Sequence, residues 1–136
     1  MKDKIFLDSN IILYSYSKTE YDKNRIANVL IFSLNEVLVS TQVINEVTNI
    51  LYKKFKLDTA SIKNVILEID NNCKIVNFSL TTQIKAINIK EKYKLQYYDS
   101  LILATALENG CNILYSEDMQ QNQIIENQLK ILNPFK

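Results

Sequence analysis

The chain has 136 residues, 47% of them apolar and 23% charged, with a net charge of +1. That suits one domain with a real core, and it excludes both a disordered chain and a broad cationic face for nucleic acid. With 0 His and a single glycine, Gly110, it also lacks the commonest general base, Ser-His and Cys-His nucleophile systems, most catalytic zinc sites and Gly-rich phosphate loops.

IFLD (5–8) is a short apolar run of buried-strand length that ends on Asp8. Ile26, Val29, Leu30 and Leu34 then recur at helical spacing, and EVLVST (36–41) reads as a second strand. Val43, Val47, Ile50 and Leu51 predict the next helix, capped by Ser40 or Thr41. Asp58 or Thr59 can cap a third, whose apolar stripe is Ile62, Val65, Ile66 and Ile69. CKIVNF (73–78) is strand-like, and Ser79 can cap a helix that turns Leu80, Ile84 and Ile87 inward, with Ile89 off that stripe. Residues 99–109 are helical and so apolar that the helix must be buried nearly all round, with Gly110 in the left-handed position beyond it. CNILYS (111–116) and LKIL (129–132) are the last strands, and Pro134 stops the final one.

Strands alternating with helices predict an α/β fold: a central parallel sheet of about five strands, covered on both faces, in one domain spanning 1–136. Cys73 and Cys111 match no metal-ligand spacing and read as buried thiols of a reducing compartment. MKDKIFLDSN lacks the apolar core of a signal peptide, and no run approaches membrane-spanning length, so the expected location is cytoplasmic, with no membrane partner.

Chemistry near neutral pH is left mainly to carboxylates, and four of them fall where such a sheet gathers residues. Asp8 ends the first strand, Glu46 follows the second by about one helical turn, Asp99 opens the apolar helix, and Asp118 follows CNILYSE. Open parallel sheets bind ligands at the carboxyl ends of their strands. Anions gathered there repel one another, and a divalent cation is the usual remedy. Each acid also has an ordinary alternative: a turn or cap for Asp8, a boundary glutamate for Glu46, a helix cap for Asp99, a turn for Asp118. Glu117 sits beside Asp118, and strand alternation sends the two to opposite sides, which favours Asp118 as the inward acid.

The segments FLDSNIIL (6–13), INEV (44–47), YYDSLILATAL (97–107) and ILYSEDMQ (113–120) closely resemble the four acidic motifs of PIN-domain ribonucleases. Within that family the chain is most similar to the small VapC-type toxins of prokaryotic toxin–antitoxin pairs, and NPF (133–135) looks like one branch of them. The resemblance spans essentially the whole chain. It implies a PIN-like three-layer α/β/α fold and an endoribonuclease in which Asp8, Glu46, Asp99 and Asp118 are the catalytic acids. Asp8, Asp99 and Asp118 would hold one or two Mg²⁺ or Mn²⁺ ions, with Glu46 a further ligand or a water-orienting base. Asn10 and Ser116 occupy positions of small polar residues that support the site, and Glu117 is a supporting acid beside Asp118. Tyr98 stands where the family often has an aromatic before the third acid, and Asn122 where it often has Gly. Hydrolysis leaving a 5′-phosphate, a homodimer and a cognate antitoxin whose C-terminal segment enters the acidic groove are further implications.

Lys90, Lys92 and Lys94 interleaved with Tyr93, Tyr97 and Tyr98 offer one candidate path for RNA, and Lys53, Lys54 and Lys56 a second, although solvated surface is the favoured reading of any single lysine among them. The competing function is a catalytically silent PIN-fold module that binds RNA or protein. A receiver-type phosphoacceptor wants paired acids after the first strand, and an Asp-x-Asp phosphatase wants an acid where Asn10 stands.

Overall fold

The computed structural model describes residues 2–33 and 35–136. From the N-terminus, β1 (Lys4–Leu7) leads through α1 (Ser9–Ser15) and α2 (Tyr21–Ile31) to β2 (Glu36–Ser40). Next, α3 (Thr41–Lys53) and α4 (Thr59–Asn72) lead to β3 (Lys74–Val76), and α5 (Leu80–Tyr93) and α6 (Tyr97–Glu108) to β4 (Ile113–Tyr115). A hairpin of β5 (Ile124–Ile125) and β6 (Leu129–Leu132) closes the order.

The sheet runs β3-β2-β1-β4-β6-β5. All neighbours pair in parallel except β5 with β6. The result is a three-layer α/β/α arrangement with one strand more than the sequence suggested. β5 is only two residues long and sits on a tight turn in which Glu126 and Asn127 take φ of +53° and +55°. So short a strand leaves no alternation to read.

Chain order explains where a site can form. The chain works outward from β1 to β2 and β3, then returns across the sheet to lay β4 against the other side of β1, with Ile5 beside Ile113 and Leu7 beside Tyr115. The order therefore reverses between β1 and β4, and side chains just past those two strands face a crevice that no crossover fills.

Local chemistry fixes the helix starts. Ser40 accepts from the Val43 amide, Asp58 from the Ser61 amide, and Ser79 and Thr82 cap each other reciprocally. Ser100 to Ala106 of α6 are all buried, as its composition demands. Gly110 takes φ +73° after α6, and Asn122 takes +67°, the left-handed geometry that an asparagine tolerates.

One helix faces the other way from the expectation. On α5, Leu80, Ile84 and Ile87 are 72%, 56% and 55% exposed, whereas Ile89 is 2% exposed. The buried face is Thr82, Ala86 and Ile89, because the small Thr82 and Ala86 let α5 lie close on α6, where the Thr82 hydroxyl donates to Glu108 at 2.9 Å. On α2, Val29 is likewise exposed and Ala27 is the buried residue; Leu34, expected on the same stripe, lies outside the described residues. Cys73 and Cys111 are free and buried, and burial pushes both thiols up to about 11. No helix among the described residues is long and apolar enough to cross a membrane.

Candidate active site

Asp8 is the residue after β1, and its extended backbone makes it the N-cap of α1. One carboxylate oxygen accepts from the Ser9 amide at 2.7 Å and the other from the Ser116 hydroxyl at 2.8 Å. The cap and the strand-end position are thus one geometry. The side chain is 5% exposed. Burial is the main force pushing its pKa from 3.8 to about 6, opposed by the hydrogen bonds from Ser116 and Ser9 and reinforced by the charges of Glu46 and Asp99.

Ser116 lies just past β4, fully buried, and its single hydroxyl is saturated. It donates to Asp8 and accepts from the amides of Asp118 and Met119, each at 3.3 Å. Asn10 extends the link: its amide nitrogen donates to Asp118 at 3.1 Å while its oxygen accepts from the Glu117 amide at 3.3 Å. The reversal point between β1 and β4 is therefore stitched by side chains from both strand ends.

Asp99 is half-buried in the first turn of α6; Gln96 is the N-cap, so Asp99 is not consumed as a cap. Its pKa is raised by burial first and then by the charges of Asp118 and Glu46. Glu46 projects from α3, where the Gln42 amide nitrogen, one turn earlier, donates to it at 3.4 Å and to the Tyr98 carbonyl at 3.1 Å. Asp8 responds to Glu46 and Asp99, and Asp99 to Glu46 and Asp118, so the four acids share one field.

Glu117 belongs to a different cluster. It accepts from the Tyr14 hydroxyl at 2.6 Å and from Lys23 at 2.6 Å, and although burial alone raises its pKa, those two partners outweigh it and hold the carboxyl low. Its side chain ties the end of β4 to α1 and α2, while its amide holds Asn10. Gln42 carries no acidic motif and was not singled out from sequence; its spacing of four from Glu46 on one helix is the signal that identifies it. Of the candidate lysines, Lys92 pairs with Glu126 and Lys94 with Glu91.

Among the described residues, Asp8, Glu46, Asp99 and Asp118 make no ion pair with any lysine or arginine. Nor, among the described residues, do any three or more of the acids come close enough together to hold one metal ion in common. The oxygen-only, uncompensated donor set suits a hard divalent cation such as Mg²⁺, which needs one or two carboxylates and keeps several waters, and it suits neither zinc nor a soft metal.

The PIN domain family model matches residues 5–126. No curated protein matches the chain by sequence. Among solved structures, the chain is similar to a toxin–antitoxin complex from Klebsiella pneumoniae at 20% identity and a TM-score of 0.73, covering 96% of this chain and 98% of that one. VapBC2 from Rickettsia felis, bound to a DNA fragment from its promoter, is 17% identical with a TM-score of 0.69, over 95% and 98%. VapC20 from Mycobacterium tuberculosis, a toxin that cleaves the sarcin–ricin loop, is 12% identical with a TM-score of 0.63, over 85% and 92%. At such identities the likeness is one of fold. The family model, running from β1 to the turn after β5 and taking in every strand-end and helix-start acid described above, makes the chain a member of the PIN domain family.

Proposed function

We propose that this protein is a Mg²⁺- or Mn²⁺-dependent endoribonuclease, the toxin of a toxin–antitoxin pair, acting in the cytoplasm as one PIN unit over residues 1–136. The observation that carries the reading is an acidic mouth, built round the buried Asp8, that has no neutralising lysine or arginine among the described residues. Asp8, Asp99 and Asp118 are the residues that would hold one or two ions. A bound ion supplies activation of water and neutralises charge at the phosphoryl group.

The chain's own residues do the rest. Ser116 and Asn10 fix the oxygens of Asp8 and Asp118, so these acids need little reordering on binding. Glu46, half-buried and held by Gln42, is placed to orient water or take its proton. The toxin–antitoxin complexes among the structural relatives favour a cognate antitoxin as partner. The exposed stripe Leu80, Ile84 and Ile87 favours a second copy of the chain on α5.

Asp99→Asn is the direct test. Its site is half-buried and it caps nothing, so the protein should fold while EDTA-sensitive cleavage of RNA falls by at least about 100-fold. Cleavage retained in a clean preparation would overturn the assignment.

A further inference from the structure

Of the two lysine-bearing paths in the sequence, the first spends Lys92 on Glu126 and Lys94 on Glu91. Lys54 of the second makes no ion pair among the described residues, and it lines an open groove between α1 and α3. The groove begins at Asn10, whose amide nitrogen holds Asp118, as a hollow of about 330 Å³. It runs into a second hollow of about 270 Å³ that shares Ser17, Thr19, Lys54 and Phe55 with the first and adds Lys18, which is likewise unpaired among the described residues. Glu46 and Lys54 are eight residues apart along α3 and its C-cap, about 12 Å on the helix axis. The lysines therefore stand at the far end of a trough that starts at the acidic mouth.

The unspent hydrogens of this lining ask for an acceptor. Ser17 accepts from the Thr19 amide at 3.3 Å and the Glu20 amide at 3.1 Å, which fills its lone pairs, so in its 3.4 Å contact with the Thr19 hydroxyl Ser17 is the donor. The Thr19 proton is left for a partner from outside. Asn10 keeps a second amide hydrogen that no protein acceptor takes among the described residues. With two ammonium groups and no carboxylate along it, the trough suits an acceptor-rich anion. Between α3 and α6, by contrast, the groove of about 580 Å³ beside Glu46 holds that carboxylate and no lysine or arginine, so an anion is disfavoured there.

We propose that the trough between α1 and α3 is the track along which the RNA substrate leaves the acidic mouth, with a backbone phosphate beyond the reacting one held by Lys54 and Lys18. The inference rests on the nuclease reading above and gives the strand a direction. With its reacting phosphate at the acids, its neighbouring nucleotides turn toward α1 and away from α6. Each nucleotide brings a phosphate whatever its base, so lysines placed here serve any sequence, whereas a peptide would need acidic residues at matching positions.

The test is binding of a short fluorescein-labelled single-stranded RNA in Ca²⁺, followed by anisotropy, with strand integrity checked on a gel. A neutral methylphosphonate linkage is stepped along the strand, with 2′-O-methyl on the nucleotide before it; the same 2′-O-methyl beside an ordinary phosphate is the reference. Neutralising the phosphate that meets the lysines should weaken binding to the wild-type protein roughly 2- to 10-fold. In the Lys18→Gln/Lys54→Gln protein that penalty should vanish, and the slope of log K against log salt should fall by about 0.7 per lost contact. Lys53→Gln removes the same charge from the same helix end but lines neither hollow, so it should keep the penalty and bind within about 2-fold of wild type. All three lysines are exposed, and a thermal melt of each variant checks the fold.

The track falls if no linkage responds, if every penalty survives in the double variant, or if Lys53→Gln loses as much affinity as Lys54→Gln. Displacement of the RNA by poly-glutamate at equal charge, in wild type but not in the double variant, would make the trough a site for acidic peptides and overturn it too. Cleavage of unmodified RNA by the wild-type protein in Mg²⁺ separates the two readings. Cleavage without the lysine-dependent phosphate effect overturns the track alone, and the phosphate effect without cleavage overturns the nuclease alone.

Discussion

Asp8 sets stability against chemistry within one side chain. Its pKa rises from 3.8 to about 6, chiefly through burial, so between those values the folded chain keeps a proton that the unfolded chain releases. The native state is therefore favoured below the lower value and loses that advantage as pH climbs to about 6. Above it, in the absence of a cation, the buried anion costs up to roughly 3 kcal/mol. Asn at this position can still accept from the Ser9 amide and carries no charge, while the Ser116 hydroxyl, whose lone pairs already accept from the Asp118 and Met119 amides, has none left for its amide nitrogen, so the lost bond offsets part of the gain. In EDTA near neutral pH, Asp8→Asn should raise the urea midpoint, with the gain fading near pH 4. A lower midpoint near neutral pH would contradict the account. That Asp8 sits at the strand mouth was legible from its place directly after a buried run; that its hydroxyl partner comes from Ser116, 108 residues away, was not, because no local pattern reports which strand ends become neighbours.

Among elements, α5 shows how hydrophobic pattern can mislead. Leu80, Ile84 and Ile87 are the larger aliphatic side chains, yet the face that packs on α6 is led by Thr82 and Ala86, because close approach of two helices rewards small residues. Ala86→Leu should therefore overpack and cost about 1–3 kcal/mol, while Ile84→Lys should change monomer stability by less than about 0.5 kcal/mol. Chemical denaturation at low protein concentration distinguishes them, and the reverse order would restore the reading from sequence. The almost wholly apolar α6 and the caps at Ser40, Asp58 and Ser79 posed no such problem, since each is a local choice that tertiary packing did not oppose. The strand β5 escaped notice for the opposite reason, being too short to carry a pattern.

At the scale of the whole molecule, the four acids come from four separate segments, and only the sheet order brings them together. Their positions could be read in advance because strand ends in a parallel sheet share one edge. The Gln42 amide and the groove beside Glu46 could not, since both depend on how α3 meets α6. A cation bound only by the folded site stabilises it by linkage. At about 100 times its Kd, Mn²⁺ should add about 2.7 kcal/mol and raise Tm by roughly 10 °C for a chain of this size. Asp99→Asn should forfeit most of that rise, and an equal rise in the variant would place the ion elsewhere.

The laying of β4 beside β1 has a bearing on synthesis. A nascent polypeptide that has emerged only as far as α6 owns Asp8, Glu46 and Asp99, but neither the strand that brings Ser116 to Asp8 nor Asp118 itself. On the nuclease reading proposed above, fragments that stop at α6 lack Ser116 and Asp118 and should not cleave RNA, so the activity would wait for the segment that follows α6.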